Sequence, residues 1–266
     1  MASHHRLFAR SLAVIATLAV SLSAAGCGDQ DQGPGYANGD AGGITFAHRA
    51  LTKDEIMRAI AVASQKAGSS HSTIKMTGAA RMRASGDASY GKGTTLMSMR
   101  MSSSQMGKGT MAVRLVGRML YLQIPGLTPP GKFLAVDTTD PRSPLAKQFA
   151  GLGDQMDPMA RLEEIGGAVL SADRVGKQTM GTTETEHYKV VVDSAPIAKQ
   201  MGEQAAQQAH LPEQITYELW LDEKNLVHRM TFELPGVRFE SEMSRWGEPV
   251  KVRKPAPSQI ATLPQA

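Results

Sequence analysis

The alternation of apolar and polar positions divides the chain into a helical opening and a long run of strands. Thr52-Lys53-Asp54-Glu55 has the form of a capping box, in which a threonine and a glutamate three residues later satisfy the free amides of a helix start. Leu51 and Ile56 flank it as a hydrophobic staple. Ile56, Ile60 and Ala63 follow at helical spacing, and Gly68 supplies a left-handed stop. From His71 the period changes to two: Ile74, Met76, Ala80 and Met82 share one side, then Met97, Met99 and Met101, then Met111, Val113 and Leu115. These runs predict successive antiparallel strands. Arg118 to Ile124 (RMLYLQI) and Lys132 to Asp137 (KFLAVD) continue them on either side of a Pro-Gly-rich connection from Pro125 to Gly131.

Ser143-Pro144 and Asp157-Pro158 each set a capping residue before a proline, which predicts two short helices. Leu145, Phe149 and Leu152 form the apolar face of the first; Met159, Leu162 and Ile165 form that of the second, before Gly166-Gly167 ends it. Strands are expected again from Val169 to Gln178 and from Glu186 to Asp193. A helix from Pro196 to about Ala209 carries Ile197, Met201 and Ala205 on one side. The last third reads as a meander: Gln214 to Leu221, a turn at Asp222-Glu223-Lys224-Asn225, Leu226 to Leu234, then Val237 to Met243. No internal repeat is visible, and residues 253–266 read as an unstructured tail. The fold class is therefore α+β: one large curved antiparallel sheet over residues 51–252, with helices where its apolar face would otherwise meet water.

The segment ahead of this body has a different character. Arg6 and Arg10 precede an uncharged stretch from Ser11 to Ala25, the form of an export signal. It ends Ser23-Ala24-Ala25-Gly26-Cys27, which resembles the lipobox of bacterial lipoproteins, with Ala24 where leucine is more frequent. The resemblance implies that residues 1–26 are a signal peptide and that Cys27 carries a diacylglyceryl thioether, with palmitate-type chains as the anchor. Residues 27–50, rich in Gly, Asp, Gln and Asn, read as a lipidated tether to the outer face of the cell membrane.

Composition narrows the chemistry. Cys27 is the single cysteine, which excludes an intrachain disulfide and a cysteine zinc cluster. Lys and Arg total 29 against 25 for Asp and Glu, and loss of Arg6 and Arg10 with the leader leaves 27 against 25. So near a balance argues against wholesale electrostatic binding, and no nucleic-acid partner is expected. The chain has no GxSxG elbow, and His71, His187, His210 and His228 show no paired metal spacing; no catalytic residue, metal or cofactor is expected. Glu240 and Glu242 would share a strand face about 7 Å apart, a gap a glycosidase uses, but Arg238 on the same face makes a solvated outer surface the simpler account. Lys251, Arg253 and Lys254 form a basic cluster, read as a solvated rim or a weak contact for anionic headgroups.

Methionine stands out, at 16 residues, eight of them at 76, 82, 97, 99, 101, 106, 111 and 119. Thioether side chains fill irregular cores, and they also line surfaces that accept varied apolar ligands. The second use needs a cavity, and its lining would be Ile74, Met76, Met97, Met99, Met101, Val113 and Leu115.

The order of elements resembles the LppX/LprG lipoprotein family of actinobacterial envelopes, which shares a half-barrel with the LolA/LolB lipoprotein carriers. The local matches are Tyr121 in RMLYLQI, Phe133 in KFLAVD, and Tyr217-Glu218-Leu219-Trp220-Leu221-Asp222 running into Leu226-Val227-His228-Arg229, within residues 51–252. The resemblance implies a half-barrel with helices on its concave face. It also implies a non-enzymatic carrier of lipids, lipoglycans or acylated molecules, with an export or envelope protein as a further partner. A LolA-like envelope sensor or adaptor that docks a protein in the same cup is the alternative.

Overall fold

The computed structural model describes residues 49–79, 81–89, 96–106, 109–140, 142, 146, 166–202, 206–207 and 210–261. Helix α1 spans Ile56–Ala67. Its start is built as the sequence requires, although the regular helix begins one turn after Thr52. The Thr52 carbonyl accepts the amides of Glu55 and Ile56, and the Glu55 carboxylate reaches back to the Thr52 amide at 3.1 Å and hydroxyl at 2.9 Å. Arg49, which composition assigns to the tether, closes on the same carboxylate, and its guanidinium holds Glu55 down to about 2. Leu51 and Ile56 are both buried, and the Leu51 amide donates to the Tyr188 hydroxyl at 3.1 Å, which ties the helix entry to a strand 137 residues away. Gly68, at φ 76°, ends the helix.

Eleven strands follow: β1 Ser69–Gly78, β2 Met82–Ser89, β3 Leu96–Ser103, β4 Met111–Val116, β5 Met119–Gln123, β6 Leu134–Asp137, β7 Val169–Met180, β8 Thr183–Asp193, β9 Gln214–Leu221, β10 Val227–Leu234 and β11 Val237–Ser244. Helix α2, Ala195–Met201, lies between β8 and β9. The strands make one antiparallel sheet in the order β6-β5-β4-β3-β2-β1-β11-β10-β9-β8-β7. Two meanders are thus joined where the first strand pairs with the last, Ile74 beside Ser241 and Met76 beside Phe239. The sheet is curved and open, with β6 and β7 as its edges.

Turn chemistry places several of these strands. The Asp222 carboxylate accepts the amides of Lys224 and Leu226, both at 2.9 Å, and Asn225 takes φ 64°, so the β9–β10 turn forms where its residues predict. Burial would raise the Asp222 pKa, but hydrogen bonds from His228 and these two amides outweigh it and leave the group lowered. Between Ile74 and Met82 the chain reverses, a break the uninterrupted alternation does not show. Gly78 makes it possible at φ 108°, because a side chain there would meet the Gly236 carbonyl of the opposing hairpin at 2.1 Å.

Apolar side chains gather on the concave face in two groups. The larger lies beneath α1, over β1, β2 and β7–β11, and includes Ile56, Ile60, Tyr188, Tyr217, Leu219, Phe232 and Phe239. The rings of Phe232 and Phe239 stack at 4.7 Å, and Tyr217 meets Phe232 at 5.1 Å. The smaller group, over β4–β6, is aliphatic: Val113, Leu115, Leu120, Leu122, Leu134, Val136 and Ala146.

Two expectations meet the structure differently. The helices expected after Ser143-Pro144 and Asp157-Pro158, the leader, Cys27 and most of the tether lie outside the described residues. The tail, expected to lack structure, is placed as far as Ala261: the Phe133 amide donates to the Gln259 carbonyl and the Ala261 amide to Phe133, so residues 257–261 cap the β6 edge. An unpaired edge strand offers backbone donors and acceptors that composition does not register.

Candidate functional site

The register puts Ile74, Met76, Met97, Met99, Met101, Val113 and Leu115 on one face. Val113 pairs with Met99, Leu115 with Met97, and Met101 with both Met111 and Ala84; Ala84 pairs in turn with Ile74, and Met76 with Met82. The seven differ in burial. Ile74, Met76, Val113 and Leu115 belong to the packed groups, whereas Met97, Met99 and Met101 on β3 are only partly buried. Met99 touches the larger group, Met97 the smaller, and Met101 both. The β3 methionines therefore form a seam between two filled regions.

The seam has a low floor. Opposite Met101, Met99 and Met97 stand Ala84, Gly86 and Ala88 of β2, so each long thioether faces a residue with little or no side chain. Gly86 tolerates nothing larger: an added Cβ would lie 2.2 Å from the Ser98 carbonyl oxygen and 2.8 Å from the Met99 Cα. The close approach of β2 and β3 fixes this glycine. After Met82 its inward residues are Ala, Gly and Ala, so the rest of β2 carries almost no hydrophobic alternation, and periodicity alone does not separate it as a strand. Trp246 completes the surroundings, packing against both groups and donating its indole N–H to the Val227 carbonyl at 3.2 Å.

The outer face carries the polar groups. Glu240 pairs with Arg229, and Arg238 with Glu233 at 2.8 Å, so the two carboxylates at 240 and 242 sit among cations on a strand surface. Trp220 lies on this face sandwiched between the His187 ring, stacked at 4.4 Å, and the Arg229 guanidinium at 5.2 Å. His187 Nε2 reaches Glu218 Oε2 at 2.5 Å, and the Trp220 indole N–H donates to Gln178 at 2.7 Å. Within the core, burial raises the Tyr217 hydroxyl pKa far above its usual value.

One constellation is invisible in the linear sequence. His71 Nδ1 lies 2.8 Å from Asp87 Oδ1 and His71 Nε2 3.2 Å from Ser85 Oγ, the order of a hydrolytic relay. Only pairing of β1 with β2 brings 71, 85 and 87 together. Arg245 Nη2 meets the same Asp87 oxygen at 2.6 Å and the same His71 nitrogen at 2.5 Å, and one nitrogen cannot donate to Asp87 while accepting from Arg245. The backbone amides of these paired strands are engaged in the ladder, so the described strands offer no free pair of backbone N–H groups beside exposed Ser85 to hold an oxyanion. The group is a surface hydrogen-bond cluster that fastens the start of β1 to the residues after β11.

Among the described residues no helix is long and apolar enough to cross a membrane, and no group of three or more His, Cys, Asp or Glu is placed to hold a metal ion.

No family model matches the chain, and no curated protein matches it by sequence. Solved structures do match in fold. The lipoprotein LppX of Mycobacterium tuberculosis superposes with a TM-score of 0.53 at 12% identity, over 76% of this chain and 98% of that one. LprF of Mycobacterium bovis superposes at 0.51 with 14% identity, over 77% and 97%. At such identities the likeness is one of architecture, and it spans nearly the whole of both neighbours. The open, helix-lined sheet of this chain is the fold of the LppX and LprF lipoproteins.

Proposed function

We propose that this chain is a lipid-anchored, extracytoplasmic lipoprotein that binds and carries lipids, lipoglycans or acylated molecules along the concave face of its sheet. The observation that carries the reading is the β3 seam. Met97, Met99 and Met101 stay partly exposed beside the small residues Ala84, Gly86 and Ala88, while Ile74 and Met76 on β1 and Val113 and Leu115 on β4 are buried. A flexible apolar strip of this kind suits acyl chains, whose burial depends on area and needs no fixed polar partner. Each methylene transferred from water contributes about 0.8 kcal/mol. No bond of the ligand is broken in this role. The lipobox at Ser23 to Cys27 supports anchorage, and the fold shared with two lipoproteins agrees with it.

The test is organic extraction of the full chain after exposure to native membranes, read by mass spectrometry. The wild-type chain yields acyl lipid in proportion to protein. Ala88→Trp, which raises the floor beneath Met97, yields much less while keeping the native circular dichroism. A wild-type protein that comes through empty overturns the proposal, and a stoichiometric protein partner in crosslinked cells with no lipid in the extract favours the adaptor. Cys27→Ala releases the protein from membranes without changing its melting temperature; its full retention would remove the anchor.

A further inference from the structure

Nearly balanced in total, the charges are unevenly distributed on the outer face. On β1, β2, β3 and β4 the outward positions include Lys75, Arg83, Arg100 and Arg114. Lys75 stands directly opposite Arg83. Arg83 pairs with Ser102 and Arg100 with Ser85, so the two arginines are diagonal neighbours; Arg100 pairs with Ala112, which makes Arg114 the next diagonal neighbour. The Arg114 guanidinium lies over the Phe133 ring at 4.8 Å and donates to the Arg253 carbonyl at 3.4 Å, so the stripe continues into a tail that also carries Lys251 and Lys254.

None of these cations is in an ion pair among the described residues. The acids nearest to them are engaged elsewhere: Asp87 with Arg245 and His71, and Glu240, the β11 neighbour of Lys75, with Arg229. Glu242, the diagonal neighbour of Lys75 on β11, stands opposite both Thr73 and Arg229, so of the four cations only Lys75 has a carboxylate beside it on β11. Like charges directly across a sheet destabilise it, and neighbours on this stripe are within about 8 Å, one screening length at physiological salt. Such an arrangement is relieved by an external anion.

We propose that this outer stripe docks the protein on an anionic phospholipid bilayer. From Lys75 to Arg114 it crosses four consecutive strands, about 15 Å. It is an open face, suited to a surface of many headgroups. The choice of a bilayer rests on the anchored reading above, because a tether from Cys27 holds the body beside one; the stripe itself does not depend on lipid carriage. Docked this way, the outer face meets the headgroups and the methionine seam faces away from them.

The experiment uses the full chain with Cys27→Ala and flotation with vesicles of phosphatidylcholine or of an equal mixture with phosphatidylglycerol, at low and physiological salt. Arg83→Gln with Arg100→Gln lowers partitioning onto the anionic vesicles about thirtyfold. Lys177→Gln with Lys189→Gln, an equal charge change on β7 and β8, leaves it within about twofold. Arg6 and Arg10 are common to every variant and cancel. Arg83→Lys with Arg100→Lys retains binding, which separates charge from any loss of fold. Equal losses in the two glutamine pairs, or no binding by the parent, overturns the proposal. Binding of soluble polyphosphate without binding of anionic vesicles also overturns it, in favour of an extended polyanion. Bound lipid extracted from a protein that ignores anionic vesicles would leave the carrier reading standing and remove only this one.

Discussion

The half of the sheet formed by β7–β11 and the half formed by β2–β6 solve the same packing problem differently. In the first, aromatic and branched side chains interlock beneath α1: Tyr188, Phe239, Ile215, Leu219, Leu221, Val190 and Val192 are all essentially inaccessible. In the second, small residues on β2 face unbranched methionines on β3, and only beyond them does an aliphatic group close over β4–β6. Stiff, shape-matched side chains give one low-energy arrangement, whereas thioethers over alanine and glycine can be rearranged with little loss of contact. Stability is concentrated in one region and adaptability in the other, within a single sheet.

Replacing a side chain in each half is the most direct way to break that comparison. Phe239→Ala, which deletes a ring stacked on Phe232, is expected to cost about 3–5 kcal/mol in denaturant unfolding. Gly86→Ala follows at about 1–3 kcal/mol, because its new Cβ must push β3 away. Met99→Ala removes a partly buried side chain and is expected to cost about 1 kcal/mol. A Met99→Ala loss as large as that of Phe239→Ala would show the halves to be equally tightly packed.

Peroxide sharpens the contrast without changing the sequence. Peptide mapping should find sulfoxide at Met97, Met99 and Met101 before Met57, Met230 and Met243, which are buried. Simultaneous oxidation of both sets would erase the distinction. The smallest expected effect is a pH dependence at the α1 entry. Glu55 is lowered from 4.5 to about 2, chiefly by its hydrogen bond from Arg49 and then by those from Thr52. Its contribution is therefore full above about 4.5 and is lost as the pH falls toward 2. Arg49→Ala should shrink that acid-side loss in a pH series of melting temperatures, and an unchanged series would show the contact to be unimportant.

Much of the architecture is legible along the chain because it is local. The capping residues at Thr52 and Glu55, the Gly68 stop, and the β9–β10 turn at Asp222 to Asn225 depend on neighbours a few positions away, and they lie where their residue types predict. The strands with strong alternation are found for the same reason. β2 is missed because Ala84, Gly86 and Ala88 give no amphipathic signal, and the break at Gly78 because alternation runs through it. The seven positions expected to line a cavity are legible as a common face, but their division into packed and partly exposed members is not: burial depends on what stands across the sheet.

The sequence alone therefore determined the kinds of most elements, their approximate ends and the apolar side of the strands that alternate, since period and turn chemistry are properties of short segments. The tertiary structure decided which strands are neighbours. Pairing of β1 with β11 joins the two meanders, register sets alanine and glycine against methionine, and the same register lines up Lys75, Arg83, Arg100 and Arg114 on the opposite face. Those juxtapositions come from long-range strand pairing, where the free energy belongs to the whole sheet and to no single stretch of residues.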